Sequence, residues 1–120
     1  MKIILLVEDD KFLRDIYFQM LSPVFNVETA EDGEVAFDKI TKNTYDLIFL
    51  DMFLPKMDGK VVLEKIKLGF PDKNISNIVF MTNDDSEQTN IYFKDKEIRY
   101  FIKSTLNPAE FVTKVKSYFT

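Results

Sequence analysis

The chain has 120 residues, of which 46% are hydrophobic, so it can bury the core of one domain without disulfides or a structural metal. It contains no cysteine and no histidine, which excludes thiol nucleophiles, Cys/His zinc sites and imidazole acid–base catalysis. The net charge of −4, from 16 basic and 20 acidic residues, argues against direct nucleic-acid binding, which depends on Lys and Arg.

No stretch of the sequence has the length of a membrane segment. The apolar run from Ile3 to Val7 ends at Glu8, Asp9 and Asp10, so it is too short for a signal peptide. A membrane helix needs roughly 20 apolar residues, and no run approaches that length. We therefore expect a cytoplasmic protein without membrane contact.

The first part of the chain alternates short apolar runs with amphipathic segments. Ile3–Val7 predicts a central strand, and Asp10 is suited to cap a helix that ends before Pro23. A more polar strand over residues 25–29 predicts an edge position, and a second helix follows over residues 34–42. Apolar residues at helical spacing predict the inner faces of these two helices: Phe12, Leu13, Ile16, Tyr17, Met20 and Leu21, then Val35, Ala36 and Ile40.

The next stretch carries the strongest signal. Four apolar residues, Leu47 to Leu50, end on Asp51, and a proline and an Asp-Gly turn follow within eight residues. A strand that is apolar on both faces fits a parallel sheet covered by helices, in which ligands bind at the carboxyl ends of the strands. A third helix follows the turn and ends at Gly69, with three inner residues: Val62, Leu63 and Ile66.

The last part of the chain repeats the pattern twice. A buried strand over residues 78–81 leads to Thr82, and a fifth strand over residues 98–102 leads to Lys103. Between them, residues 86–96 predict a fourth helix that carries Ile91, Tyr92 and Phe93. Asn107-Pro108 predicts the start of a fifth helix, whose apolar face consists of Phe111, Val112, Val115, Tyr118 and Phe119.

Five alternations of strand and helix with short connections predict a doubly wound α/β fold, a parallel sheet with helices on both faces. The weak second strand and right-handed crossovers favour the flavodoxin-like strand order 2-1-3-4-5. In that order the switch point lies between the first and third strands, so Glu8, Asp9 and Asp51 should meet there. We expect a single domain over residues 1–120.

The predicted strands end on chemically active side chains: Glu8, Asp9, Asp51, Thr82 and Lys103. Taken singly, each fits a structural role, such as a helix cap, a turn or a solvated charge. Three acids in one pocket repel one another, however, and oxygen ligands without His or Cys favour Mg²⁺. A carboxylate beside Mg²⁺ can attack a phosphoryl group, while Lys103 pairs with the phosphate oxygens and Thr82 hydrogen-bonds one of them.

The sequence resembles the receiver domains of two-component response regulators over essentially all of its 120 residues. Four motifs at strand ends carry the resemblance: Leu6-Val7-Glu8-Asp9-Asp10, Asp46 to Asp51 with Leu54-Pro55 and Asp58-Gly59, Met81-Thr82, and Tyr100-Phe101-Ile102-Lys103. The resemblance implies the flavodoxin-like (CheY-like) fold. It also implies a signalling domain, not an enzyme, that catalyses only its own phosphorylation and dephosphorylation.

The resemblance assigns a role to each residue of the predicted site. Asp51 matches the residue that accepts a phosphoryl group from a phosphohistidine, and Lys103 matches the phosphate-binding lysine. Asp9 and Asp51 would ligate Mg²⁺, Glu8 would hold its waters, and the backbone carbonyl of Phe53 would supply another ligand.

The resemblance also implies a switch and its partners. Thr82 and Tyr100 match the two switch positions, and the readout surface would comprise the fourth helix, fifth strand and fifth helix, where Tyr92, Phe93 and Tyr100 should cluster. The phosphodonor would be a sensor histidine kinase or a histidine phosphotransfer protein. Because the sequence ends with the fifth helix, the output would be a separate protein target or a further domain of a longer chain.

Three residues depart from the family pattern. Family members usually have proline after the lysine, often through a cis peptide, and this chain has Ser104. The residue after the switch threonine is commonly small, whereas Asn83 stands here and would either donate to the phosphate or crowd it. Phe53 replaces a residue that is often polar near the attacking water, so we expect slow dephosphorylation.

Two other function classes follow from the same residues. A degenerate receiver would keep the fold and act as a phosphorylation-independent interaction module, with Asn83 and Ser104 as its support. An enzyme fits less well: a flavin protein needs a phosphate-binding loop where the acids follow the first strand, and an aspartyl phosphohydrolase needs an acid where Phe53 stands.

Overall fold

Five strands and five helices alternate along residues 1–120, all of which the computed structural model describes. The strands are β1 (Ile3–Val7), β2 (Asn26–Ala30), β3 (Leu47–Asp51), β4 (Ile78–Thr82) and β5 (Arg99–Ile102). The helices are α1 (Lys11–Leu21), α2 (Gly33–Lys42), α3 (Gly59–Gly69), α4 (Glu87–Lys96) and α5 (Pro108–Ser117), with a 3-10 turn at Lys103–Thr105 before α5. No helix combines the length and the apolar character that crossing a membrane requires.

The five strands form one parallel sheet in the order β2-β1-β3-β4-β5, which confirms the predicted order 2-1-3-4-5. The polar strand β2 lies at an edge, as expected. The end of β1 pairs with the end of β3, where Val7 lies opposite Leu50. The residues that follow these two positions, Glu8 and Asp51, therefore lie side by side at the switch point.

The core consists of two apolar layers, one on each face of the sheet. All residues of β3 and β4 are buried, because successive side chains point to opposite faces and helices cover both. Leu5, Ile48 and Phe80 pack toward the layer under α2, α3 and α4. Leu6 and Phe49 pack toward the layer under α1 and α5. This arrangement explains why the strands read as unbroken apolar runs.

The five helices begin at polar caps that hold their first free N–H groups. Each cap side chain accepts a hydrogen bond from the backbone N–H three residues later, and the caps are Asp10, Asp32, Asp58, Ser86 and Asn107. Asn107 and Glu110 form a reciprocal capping box. The predicted caps Asp10 and Asn107 are thus confirmed.

The buried face of α1 is narrower than predicted. Tyr17 and Leu21 are buried, but Phe12 is 73% exposed and Met20 lies at the surface. Phe12 lies outside the buried face of α1, whereas the next residue, Leu13, packs against the layer that α1 shares with α5. In α2 the predicted inner residues Ala36 and Ile40 are buried as expected.

Strand boundaries differ by single residues. β2 begins and ends one residue later than predicted, and β5 begins at Arg99 instead of residue 98. Ile98 belongs to the turn that follows α4, where Glu97 adopts a left-handed backbone with φ of 56°. That turn uses a residue other than glycine, so the sequence carries no sharp signal for it.

The loop between β3 and α3 is held by two close glycine contacts. A Cβ atom on Gly33 would lie 1.6 Å from the carbonyl oxygen of Met57, and one on Gly59 would lie 2.4 Å from the carbonyl oxygen of Asp51. Asp32 is buried beside Gly33 and forms an ion pair with Lys56 at 3.6 Å. The start of α2 therefore packs directly against the loop that follows Asp51.

We expect Gly33→Ala to destabilise the fold by about 1–3 kcal/mol, because the new methyl group overlaps backbone that cannot move without shifting the loop. Gly69→Ala is the matched control, since no atom lies within 4 Å of its Cβ position. That substitution should leave stability unchanged or raise it by up to about 1 kcal/mol. Urea unfolding of both variants measures this difference, and equal midpoints would contradict the packing assigned to Gly33.

Candidate functional site

Three carboxylates meet at the carboxyl edge of the sheet. Glu8 and Asp9 follow β1, and Asp51 ends β3; oxygen atoms of all three lie within 4.8 Å of one another. Glu8 and Asp51 are buried, whereas Asp9 is exposed. We call these residues the acidic cluster. The structure thus brings together the three acids that the sequence placed at the switch point.

One cation lies between two of the acids. Lys103 Nζ donates to Glu8 Oε1 at 2.9 Å and to Asp51 Oδ2 at 2.8 Å. Its side chain is only 11% exposed. Lys103 follows β5, two strands away from β3, so only the folded sheet makes this contact. The ammonium group compensates charge that would otherwise repel within the acidic cluster.

The pKa values of Glu8 and Lys103 both lie above their ordinary values. Burial raises the pKa of Glu8 from 4.5 to about 7, against the lowering effect of the hydrogen bond from Lys103. The neighbouring charge of Asp51 raises it further. Burial lowers the pKa of Lys103, but hydrogen bonds to Asp51 and Glu8 outweigh it, so this pKa lies above its ordinary value.

Backbone groups on both sides fix the carboxylates. The N–H of Asp10 donates to Glu8 Oε2 at 3.2 Å, and the N–H of Phe53 donates to Asp51 Oδ1 at 3.2 Å. Arg14 Nη1 donates to the carbonyl oxygens of Glu8 at 2.8 Å and Asp9 at 3.3 Å. Nothing in the sequence indicated this role for Arg14, because an arginine in the first turns of a helix normally indicates only a solvated charge.

Thr82 ends β4, next to the end of β3. It is fully buried, and its hydroxyl oxygen accepts a hydrogen bond from the N–H of Asp84 at 3.0 Å. The Asp84 carboxylate in turn accepts from the Thr89 hydroxyl at 2.6 Å and from the Ser86 N–H at 2.9 Å. These bonds lower the pKa of Asp84 and connect Thr82 to the start of α4.

The loops that depart from the family pattern contact each other. The N–H of Ser104 donates to Asn83 Oδ1 at 2.9 Å. The chain contains no cis peptide, and Lys103–Thr105 form one turn of 3-10 helix. The oxygen of the Asn83 amide is therefore engaged with protein, a contact that the sequence did not reveal.

Tyr100 lies away from the acidic cluster, on the face of the sheet that α4 covers. Its ring stacks on Phe93 with centroids 4.4 Å apart, and Tyr92 meets Phe93 edge-on at 5.2 Å. The predicted cluster of Tyr92, Phe93 and Tyr100 is confirmed. Phe93 is its buried centre and Tyr100 is half-buried.

Phe53 lies two residues beyond Asp51 and is 59% exposed. Its ring is therefore at the surface while its backbone N–H holds Asp51. A cavity of about 550 Å³ lies at the opposite edge of the sheet, between the amino ends of β3 and β4. A smaller cavity of about 240 Å³ adjoins Lys103 and is lined by α1 and the loops after β4 and β5.

The donor set of the acidic cluster fits a hard divalent cation. Its ligand atoms are carboxylate oxygens, and no sulfur or imidazole is present. Mg²⁺ binds through one or two carboxylates and retains several waters, so the exposed Asp9 together with Asp51 suits it. The acidic cluster is thus a pocket that could bind a metal.

The sequence profile of the response regulator receiver domain matches residues 4–116 of this chain. The chain belongs to the response regulator receiver domain family. This match confirms the predicted family, and the observed strand order with five helices confirms the predicted fold.

Two curated relatives are larger proteins. The transcription factor SKN7 of Chaetomium thermophilum is 36% identical over 94 residues, which cover 76% of this chain and 12% of that protein. The response regulator ArlR of Staphylococcus aureus is 38% identical over 65 residues, 53% of this chain and 30% of that protein. The chain therefore spans less than a third of either relative.

A solved structure matches the receiver domain over nearly its full length. The response regulator protein TrrA of Thermotoga maritima, in complex with Mg²⁺-BeF, superposes with a TM-score of 0.75 at 30% identity. The match covers 98% of both chains.

The raised pKa of Glu8 predicts a pH dependence of stability in the absence of divalent cations. Between about pH 5 and pH 7 the folded state binds more protons at Glu8 than the unfolded state, whose pKa is 4.5. This contribution to stability is therefore full below the unfolded pKa and is lost as pH rises through about 7. It amounts to at most about 3 kcal/mol.

Urea unfolding in EDTA at about pH 5 and about pH 7, for wild type and Glu8→Gln, measures the contribution of Glu8 to stability. The amide variant does not titrate, so the stability difference between variant and wild type should grow in favour of the variant at the higher pH. The same pH slope in both proteins would show that Glu8 titrates normally.

Proposed function

We propose that this receiver domain accepts a phosphoryl group on Asp51 from a phosphohistidine and thereby changes a partner-binding surface. The observation that carries the proposal is the contact of the buried Asp51 carboxylate with Lys103 at 2.8 Å, beside Glu8 and Asp9. A buried acid held by a cation, in a family of receiver domains, supports the role of phosphoacceptor. It is a signalling role, without turnover of a separate substrate.

In the proposed step, an Asp51 carboxylate oxygen attacks the phosphorus atom of the donor. The new oxygen–phosphorus bond forms as the nitrogen–phosphorus bond of phosphohistidine breaks, and the electron pair leaves with the imidazole. The product is an aspartyl phosphate. Asp51 is suited to the attack because the Phe53 N–H and Lys103 hold its two oxygens in different directions.

Lys103 supplies charge where the phosphoryl oxygens arrive. Its ammonium group donates hydrogen bonds to Glu8 and Asp51. With little movement it can donate to a phosphoryl oxygen instead of the Asp51 oxygen. Glu8 keeps the second bond, so it holds the amine in place during the exchange. Lys103 is therefore the residue that compensates the added negative charge.

The acidic cluster supports a proposal for Mg²⁺. Asp9, Asp51 and the backbone carbonyl of Phe53 would ligate the ion, and Glu8 would hold its waters. When bound, the ion neutralises phosphoryl charge during transfer. The complex of TrrA with Mg²⁺-BeF supports the assignment.

We assign the switch to Thr82 and Tyr100. The Thr82 hydroxyl accepts from Asp84 and still has its own proton to donate to a phosphoryl oxygen. Thr82 also connects through Asp84 and Thr89 to α4, so its displacement would act on the helix beside Tyr100. Such a displacement shifts an existing equilibrium of the readout surface, formed by α4, β5 and α5.

The proposed partners follow from this chemistry. A sensor histidine kinase or a histidine phosphotransfer protein donates the phosphoryl group in the cytoplasm, and a protein target or an attached output domain reads the switch. Residues 1–120 act as one receiver domain. The net charge of −4 argues against direct nucleic-acid binding by this domain.

Incubation with acetyl phosphate should add one phosphoryl group to wild type, in the presence of Mg²⁺ only, and none to Asp51→Asn. The amide is a much weaker nucleophile than the carboxylate. Intact-protein mass spectrometry measures the adduct. Asp85→Asn is the matched control, because Asp85 is an exposed aspartate in a loop at the same edge of the sheet, and it should label like wild type.

No adduct on wild type, under conditions in which another receiver domain labels, would refute phosphoacceptance and favour the degenerate interaction module. An adduct that persists in Asp51→Asn would show that the acceptor is a different residue.

Phe53→Asn should shorten the lifetime of the aspartyl phosphate severalfold. The exposed apolar ring of Phe53 cannot orient an attacking water, whereas an amide at this position can donate to it and accept from it. The lifetime is measured by the decay of the phosphorylated mass after removal of the donor. A wild-type lifetime equal to or shorter than that of the variant would count against this role.

A further inference from the structure

One side-chain hydrogen bond joins the loops that follow β4 and β5. The N–H of Ser104 donates to Asn83 Oδ1 at 2.9 Å. Asn83 directly follows Thr82, and Ser104 directly follows Lys103. The bond therefore lies one residue away from each of the two groups that are proposed to bind phosphoryl oxygens. We call it the cross-loop hydrogen bond.

The cross-loop hydrogen bond forms where the sheet ends. The last paired residues of β4 and β5 are Thr82 and Ile102, and beyond them the chain enters the 3-10 turn at Lys103–Thr105. The first N–H groups of a helical turn have no partner within the turn. The Asn83 amide oxygen supplies that partner for Ser104, and so continues the connection between the strands past the end of their pairing.

This bond requires a residue other than proline at position 104. Proline has no N–H to donate, so it could not form the bond. Proline also disfavours helical backbone in the residue before it, which here is Lys103 at the start of the 3-10 turn. Ser104 thus permits both the bond and the local backbone from which Lys103 reaches Glu8 and Asp51.

We infer that Asn83 is a positioning residue for Lys103, an inference that rests on the proposed function. It acts through the Ser104 N–H and holds the turn that presents the ammonium group to the phosphoryl oxygens. The two departures from the family pattern are then one feature, because the amide oxygen of Asn83 replaces the restraint that proline would place on the turn. Asn83 and Lys103 also line the same small cavity beside the acidic cluster.

The inference predicts that loss of the cross-loop hydrogen bond slows labelling by acetyl phosphate. Asn83→Ala should lower the labelling rate at saturating acetyl phosphate and Mg²⁺ by about two- to tenfold, the value expected for one hydrogen bond. The half-saturating concentration of acetyl phosphate should stay the same, since the bond positions a group and does not bind the donor. Ser104→Ala is the matched control: it keeps the N–H and should label within about twofold of wild type.

Ser104→Pro removes the same bond from its other end. The rate of the Asn83→Ala/Ser104→Pro double variant should equal that of Ser104→Pro alone, because the bond can be lost only once. Amide hydrogen exchange reports the bond independently of labelling: Ser104 should be protected in wild type and should exchange faster in Asn83→Ala, at equal global stability.

Three results with the variants would overturn the inference. Labelling of Asn83→Ala at the wild-type rate would show that the bond does not position Lys103. Faster labelling would show that Asn83 crowds the site instead. Additive losses in the double variant would show two separate effects. Failure of wild type itself to label would refute the proposed function, and the inference with it, before any variant is compared.

Discussion

The structure of the functional edge depends on the ammonium group of Lys103 between the carboxylates of Glu8 and Asp51. Without that cation two buried acids would face each other, at a cost of several kcal/mol. The contact joins the ends of β1, β3 and β5, so it also connects the centre of the sheet to its edge. On the proposed function, it places the charge needed for phosphoryl transfer in position before any donor arrives. It also explains the raised pKa of Glu8, because pairing with Lys103 only partly offsets the effect of burial.

The rest of the fold holds this edge rigid from both sides. Two apolar layers fix the parallel strands, so their carboxyl ends lie at the same level. Close packing of Gly33 and Gly59 against the loop after Asp51 leaves its backbone little freedom. The loops after β4 and β5 contain no buried residue; the first directly follows the buried Thr82, and the second begins with Lys103. On the proposed function, this packing holds the loop after the acceptor in place, and the added phosphoryl charge would act on the more exposed loops after β4 and β5.

The sequence predicted the architecture because the signals for parallel strands are strong and local. Unbroken apolar runs, polar caps and turn residues predicted all ten elements, with boundaries that differ by one residue or so. Phe12 was wrongly placed on an inner face, because helical periodicity does not show how wide the buried face is: Leu13 packs against the core and its neighbour Phe12 does not. Arg14 and the bond between Asn83 and Ser104 carry no local signal, since their partners are backbone groups whose positions depend on the whole sheet.

The sequence by itself determined which chemistry is possible: acids, a hydroxyl and an amine at strand ends, with no thiol or imidazole. It also determined the fold, because burial on both faces of a strand restricts the composition of the whole segment. Only the tertiary structure decided which of these groups touch. Lys103 lies 95 residues from Glu8 along the chain and 2.9 Å from it in space, a distance that depends on strand order, register and the turn after β5 together. No local sequence pattern predicts such a contact, because it forms where elements that are far apart in the sequence pack against one another.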